Sequence, residues 1–136
     1  MIEIKKIMEQ VYLREKHQEA IHCGEALLLS DYKADAEVYF MLGTSYSQLE
    51  QYDKAISNLA EAIKLKPDYA QAHHNLGVAY NQKRDYDKAV ACYNQAIKLN
   101  PSEDYGHYSI RNTYCDKEWY VRTIACCEKN IEGGDK

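Results

Sequence analysis

The sequence predicts an all-α chain built from stacked helical hairpins, and three observations carry that expectation. Two segments, 36–69 and 70–103, align without gaps at a spacing of 34 residues. Within each, apolar residues recur at helical rather than strand spacing, in two stripes separated by a short polar break. The composition is rich in tyrosine, with 13 among 136 residues, and in alanine, which suits close helix packing around small residues with aromatic fillers.

The two central repeats are the best defined. Leu42 pairs with Leu76, Gly43 with Gly77, Tyr46 with Tyr80, Tyr52 with Tyr86, Ala55 with Ala89, Leu59 with Tyr93, Ala62 with Ala96 and Pro67 with Pro101. Leu42, Gly43 and Tyr46 belong to the apolar stripe of a first helix, and Ala55, Leu59 and Ala62 to that of a second. Glycine inside a helix costs about 1 kcal/mol relative to alanine. Gly43 and Gly77 are therefore expected where a partner helix approaches closely, near Ala55 and Ala89. Pro67 and Pro101 punctuate the repeat boundaries, and Asn100-Pro101-Ser102-Glu103 reads as an N-cap, a first-turn proline and an acidic third position.

The outer repeats are degenerate. In residues 1–35, Ile4, Ile7, Met8 and Val11 form the first stripe, Ala20 and Leu27 the second; Met8 stands at the glycine position and Gly24 at a bulky one. In residues 104–136, Arg111 occupies the glycine position, with Thr123 and Asn130 where the central repeats have alanine. A last helix is expected from about Val121 to Ile131, ending at Gly133-Gly134. Terminal repeats of an array are atypical because one face of each meets water.

This pattern resembles the tetratricopeptide repeat over essentially the whole chain: a large residue at position 4, Leu-Gly at 7–8, Tyr at 11, Ala at 20, an aromatic or leucine at 24, Ala at 27 and Pro at 32. The resemblance implies one domain, residues 1–136, folded as a right-handed α-solenoid of about four stacked repeats (1–35, 36–69, 70–103 and 104–136) with eight helices in antiparallel pairs. It also implies a non-catalytic adaptor whose concave groove, lined by the first helices, binds a peptide or helix of a partner protein. By that mapping the groove candidates are Phe40, Thr44, Gln71, His74, Asn75, Asn81, Tyr105, Tyr108 and Asn112. Phe40, His74 and Tyr108 would form a ladder of flat rings one repeat apart, set among amides able to bond a peptide backbone.

One known variant of the family is disfavoured. Its carboxylate clamp needs lysine, asparagine and basic residues at set groove positions; Lys5 fits, but Glu9, Met41, Gln71 and Asn75 stand at the others. A bound carboxylate needs such charge-assisted donors to offset its desolvation. A continuous asparagine ladder is also missing, since the relevant positions read Met41, Asn75 and Ser109.

Composition and motif content narrow the remaining classes. No run approaches 18 consecutive apolar residues, and the N-terminal segment has charge in every turn, so neither membrane insertion nor a secretory signal is expected. The net charge of −4 offers no electrostatic case for nucleic acid. Five cysteines without metal-site spacing read as reduced thiols in the cytoplasm, with Cys115 the most reactive candidate. His73 and His74 are adjacent and diverge, no metal-ligand pair sits at helical spacing, and no cofactor is expected. Besides the adaptor, the sequence leaves open a scaffold that self-associates through its repeat ends, as a homo-oligomer, and a chaperone or targeting subunit of a larger complex.

Overall fold

The computed structural model describes residues 2–30, 33–102 and 104–133. Among them are seven helices and no strand: α1 (Ile2–Leu13), α2 (His17–Leu29), α3 (Ala36–Gln48), α4 (Tyr52–Leu65), α5 (Ala70–Gln82), α6 (Tyr86–Leu99) and α7 (Asp104–Gly133). Helices pack most closely within the pairs α1–α2, α3–α4 and α5–α6, and each pair then leans on the next through α2–α3, α4–α5 and α6–α7. Met8, Leu27, Leu42 and Leu59 are wholly buried along this stack, with Ala55, Ala62, Ala79 and Ala89 at the narrow points.

Each pair is closed by the same turn. The N–H of Gln51 donates to the carbonyl of Tyr46 at 2.9 Å, and that of Glu50 to Ser47 at 3.0 Å. Asp85 and Arg84 repeat these bonds toward Tyr80 and Asn81, and Lys16 and Glu15 toward Val11 and Tyr12. This is the Schellman arrangement, which satisfies the last carbonyls of the helix. It places Glu15, Glu50 and Arg84 in left-handed backbone, at φ of 58°, 61° and 65°.

The close approach expected at the glycines is present, but it is made first by side chains. A β-carbon on Gly43 would lie 2.6 Å from Leu59 Cγ, and one on Gly77 would lie 2.7 Å from Tyr93 Cε1; the Ala55 and Ala89 carbonyl oxygens follow at 3.1 Å. In the first pair the bulk is exchanged. Gly24 on α2 leaves the space that Met8 on α1 fills, and a β-carbon there would lie 2.8 Å from Met8 Cε and 2.5 Å from Leu42 Cδ2.

The fourth repeat departs from the expected pair of helices: α7 runs unbroken from Asp104 to Gly133. Its physical reason lies in the sequence. Arg111, exposed at the place of Gly43 and Gly77, leaves no hollow for a returning helix, and Thr123 and Asn130 replace the alanines that would enter it. Glu118, which corresponds to Glu50 and Arg84, therefore stays helical. Tyr114, Trp119, Val121 and Ile124 are left exposed on α7. Asn100 is also reassigned: it caps the end of α6, its N–H bonded to the Ala96 carbonyl, rather than starting α7.

Candidate functional site

The first helices of the repeats, α1, α3, α5 and the start of α7, lie side by side in contact. Three adjoining depressions run across this face. One of about 270 Å³ is lined by Glu9, Tyr12, Leu13, Glu37, Phe40, Met41, Tyr69 and Gln71. The next, about 320 Å³, shares Tyr12 and Leu13 and reaches Thr44 and Gln48. The third, about 150 Å³, shares Thr44 and Gln48 and continues to Ser47, Asn75 and Val78. Shared lining residues make them one groove.

Local structure sets each side chain. Asp35 caps α3, accepting from the Val38 N–H at 3.0 Å, and so fixes where Glu37, Phe40, Met41 and Thr44 emerge. Lys5 on α1 donates to Asp35 at 2.6 Å and lies 3.5 Å from Glu37. Burial alone would raise the Asp35 carboxyl, but the Lys5 ammonium and the Val38 N–H outweigh it and hold it below its ordinary value. Asn75 Nδ2 donates to Thr44 Oγ1 at 3.0 Å, tying α5 to α3 along the groove floor.

The three rings of the sequence-derived ladder are not equivalent. Phe40 is only 8% exposed, stacked on Tyr69 at 4.9 Å and met edge-on by Tyr12 at 6.5 Å. His74 is half-buried, its ring 5.4 Å from Tyr93 of α6. Tyr108 alone is open, at 62% exposure. Among the amides, Gln71 and Asn112 are exposed, while Asn81 lies half-buried with its Nδ2 3.4 Å from Asp116. The Tyr105 side chain lies outside the described residues.

Other titratable groups have structural surroundings. His73 is buried, its Nε2 2.9 Å from the Pro67 carbonyl oxygen, whereas His107 at the matching position is exposed. Burial, with a smaller effect from Asp85, pushes the Cys92 thiol up to about 11, and Cys23 is raised by burial and then Glu19. Cys115 is exposed; Cys126 and Cys127 lie outside the described side chains. A depression of about 360 Å³ at the α3–α4 turn contains Lys83 and Asp53, which pair with each other. Among the described residues no group of three or more His, Cys, Asp or Glu could hold a metal ion, and no helix is long and apolar enough to cross a membrane.

Tyr69 was not among the sequence-derived candidates. It lies in the link between α4 and α5, outside the helical positions that the repeat register assigns to the groove. Its one sequence signal is its place two residues after Pro67, where the chain must turn back toward the first-helix face. Glu9 and Glu37 sit at groove positions of that register and now prove to border the same cleft.

Comparison with known proteins agrees with this architecture. A family model described as tetratricopeptide repeat matches residues 70–103, and one described as TPR repeat matches residues 43–83. The small glutamine-rich tetratricopeptide repeat-containing protein of Dictyostelium discoideum is 36% identical over 58 residues, 43% of this chain and 17% of that protein. A crystal structure of MamA superposes with a TM-score of 0.78 at 25% identity, over 95% of this chain and 75% of that one. The second TPR domain of human RPAP3, solved in complex with the HSP70 peptide SGPTIEEVD, gives a TM-score of 0.76 at 18% identity, over 83% of this chain and 93% of that one. Repeat spacing, the glycine and alanine contacts between paired helices and these matches agree: residues 43–103 are tetratricopeptide repeats, and the chain has the all-α fold of tetratricopeptide-repeat proteins.

Proposed function

We propose that this chain is a non-catalytic protein-interaction adaptor that holds an extended segment of a partner protein in the groove across α1, α3, α5 and the start of α7. The observation that carries this reading is the continuity of the three depressions, floored by rigid helices and bordered by neutral hydrogen-bonding groups at Thr44, Ser47, Gln48, Gln71 and Asn75. Helices already fixed by packing lose little freedom on binding, so affinity is not spent on ordering the receptor. The RPAP3 domain with its bound peptide supports peptide capture as a use of this fold. That peptide carries acidic residues, whereas Lys5, the one groove residue here that fits a carboxylate clamp, is already engaged by Asp35 and Glu37. Free thiols at Cys23, Cys92 and Cys115 suit a reducing compartment such as the cytoplasm.

The test is a paired capture from cell lysate read by mass spectrometry, with the native chain and a Leu13→Ser/Gln48→Ala/Gln71→Ala variant, whose replaced residues line the depressions, as baits. All three replaced side chains are exposed, so both baits should have the same far-ultraviolet circular dichroism. Proteins retained by the native bait and lost at least fivefold by the variant support the groove; equal capture by both removes it as the site.

Self-association is favoured by a different observation. Tyr114, Trp119, Val121 and Ile124 expose apolar surface on α7, where no second helix of the repeat covers them. Sedimentation equilibrium across a hundredfold range of concentration should show a rising mass for the native chain and a constant one for Trp119→Ser/Val121→Ser. A monomer throughout would discard this second reading.

A further inference from the structure

The cleft where α1, α3 and the α4–α5 link meet combines two kinds of wall. One is a row of rings, Tyr12 edge-on to Phe40 and Phe40 stacked on Tyr69. The other is a pair of carboxylates, Glu9 and Glu37. Glu9 is half-buried and makes no ion pair among the described residues. Glu37 stands 3.5 Å from Lys5, but that ammonium is held more tightly by Asp35 at 2.6 Å. The cleft itself is lined by no cationic side chain.

Resting on the groove-binding reading above, we infer that this cleft is a pocket for a cationic side chain: the partner segment carries a lysine or arginine whose charge sits between the Glu9 and Glu37 carboxylates and whose stem lies along the Tyr12 ring, which Phe40 and Tyr69 hold in place from beneath. The negative faces of aromatic rings attract cations, and an acid beside them supplies the charge-assisted hydrogen bond. The ring system already holds one cation of its own. Lys66 Nζ lies 4.7 Å from the Tyr69 ring centroid, outside the cleft lining. Burial first, and then Glu37, Tyr12 and Asp35, push the Tyr69 phenol up to about 12. Beyond the cleft the middle depression adds Glu15 and His17 at its rim, and the far one is neutral, through Thr44, Ser47, Gln48 and Asn75, so the acidic character of the groove is concentrated at its α1 end. Charge complementarity thus selects a basic partner segment over an acidic or neutral one.

The experiment uses nine-residue peptide libraries, acetylated and amidated at their ends, with the central residue fixed as Arg, Lys, Gln or Glu and the other positions mixed. Retention is measured on the immobilised native chain, on Glu9→Gln/Glu37→Gln and on Glu9→Lys. The native chain should retain the Arg and Lys libraries about five- to tenfold better than the Gln library, the range expected for one partly desolvated cation–π and carboxylate contact. That excess should shrink with salt. The double variant should lose the excess while keeping its hold on the Gln library, and Glu9→Lys should favour the Glu library. Retention of all four libraries alike, sensitive to Gln48→Ala/Gln71→Ala, would overturn the cation pocket and leave the groove reading standing. Retention of none by the native chain would overturn both. Glu9 makes no ion pair among the described residues, so Glu9→Lys reverses a charge of the cleft without removing a carboxylate partner of Lys5.

Discussion

At Gly43 the missing side chain is filled by Leu59, and at Gly77 by Tyr93. Gly43→Ala gains about 1 kcal/mol of helix propensity but forces a methyl into a filled space, at about 1–3 kcal/mol. The second effect wins because the Ala55 carbonyl, 3.1 Å from the new atom, cannot swing aside as a side chain can. A lowered urea midpoint with an unchanged slope is the expected result. The reversed pair in the first repeat allows a sharper test. Met8→Gly leaves a cavity and should cost about 2–5 kcal/mol, and Gly24→Leu should cost about 1–3 kcal/mol by crowding. Combined, they restore the arrangement of the central repeats, so the double variant should be more stable than the sum of the two losses.

Asp35 adds a pH dependence at the same scale. Its folded value is depressed, so its contribution is present above the ordinary carboxylate value of about 3.9 and is lost as pH falls through the lower folded value. Asp35→Asn keeps a good N-cap but removes the charge that Lys5 needs. The stability difference between native and variant should therefore be full near neutral pH and fade below about pH 4, measured by urea titration at each pH.

Among the elements, the turns are the least expected feature of the fold. Three of them place Glu15, Glu50 and Arg84 in left-handed backbone, which costs about 1–2 kcal/mol for a residue with a β-carbon. Nothing in those residue types announces the conformation; glycine would have. Glu50→Gly should therefore stabilise the chain by up to about 1 kcal/mol, after allowing for the greater freedom of glycine in the unfolded chain. Arg84→Gly should gain less, because Arg84 also lies 5.0 Å over the Tyr120 ring. Thermal melts of both variants decide the order. The repeat period, the buried alanines and most of the helix faces were legible, because each follows from spacing; Ile7, expected on the first apolar stripe, is the exception at 50% exposure. The absent turn at Glu118 was harder to see: it depends on what Arg111 denies to a helix seven or more residues later, a relation between positions rather than a property of either. At the site, the repeat register found the groove helices, but it could not tell that Phe40 would be covered, since its cover, Tyr69, comes from a link the register does not describe.

For the molecule as a whole, stability in a stack is a sum of intrinsic terms and nearest-neighbour contacts, so the two ends differ from the middle. The pairs α3–α4 and α5–α6 are packed on both sides, whereas α7 leans on α6 and α5 only. Native-state hydrogen exchange should find the strongest protection in α3–α6 and the weakest in α7 beyond Glu118, where Trp119, Val121, Arg122 and Ile124 are exposed. Equal protection along α7 would mean that its outer part is covered in solution, and sedimentation would then identify the cover as a second copy or exclude it.

The position of the single tryptophan has an optical consequence. Trp119 is 68% exposed on α7, whereas Leu42, Leu59 and Ala79 are wholly buried. Its emission therefore reports the polarity around the outer face of α7, while far-ultraviolet dichroism reports the helices together. A denaturation followed by both signals should give non-coincident curves even if α3–α6 unfold in a single step, and that mismatch should not be taken for a folding intermediate. The same indole becomes a built-in probe: any molecule that seats itself on α7 shifts its emission to the blue, and one confined to the groove near Tyr12 and Phe40 leaves it unchanged.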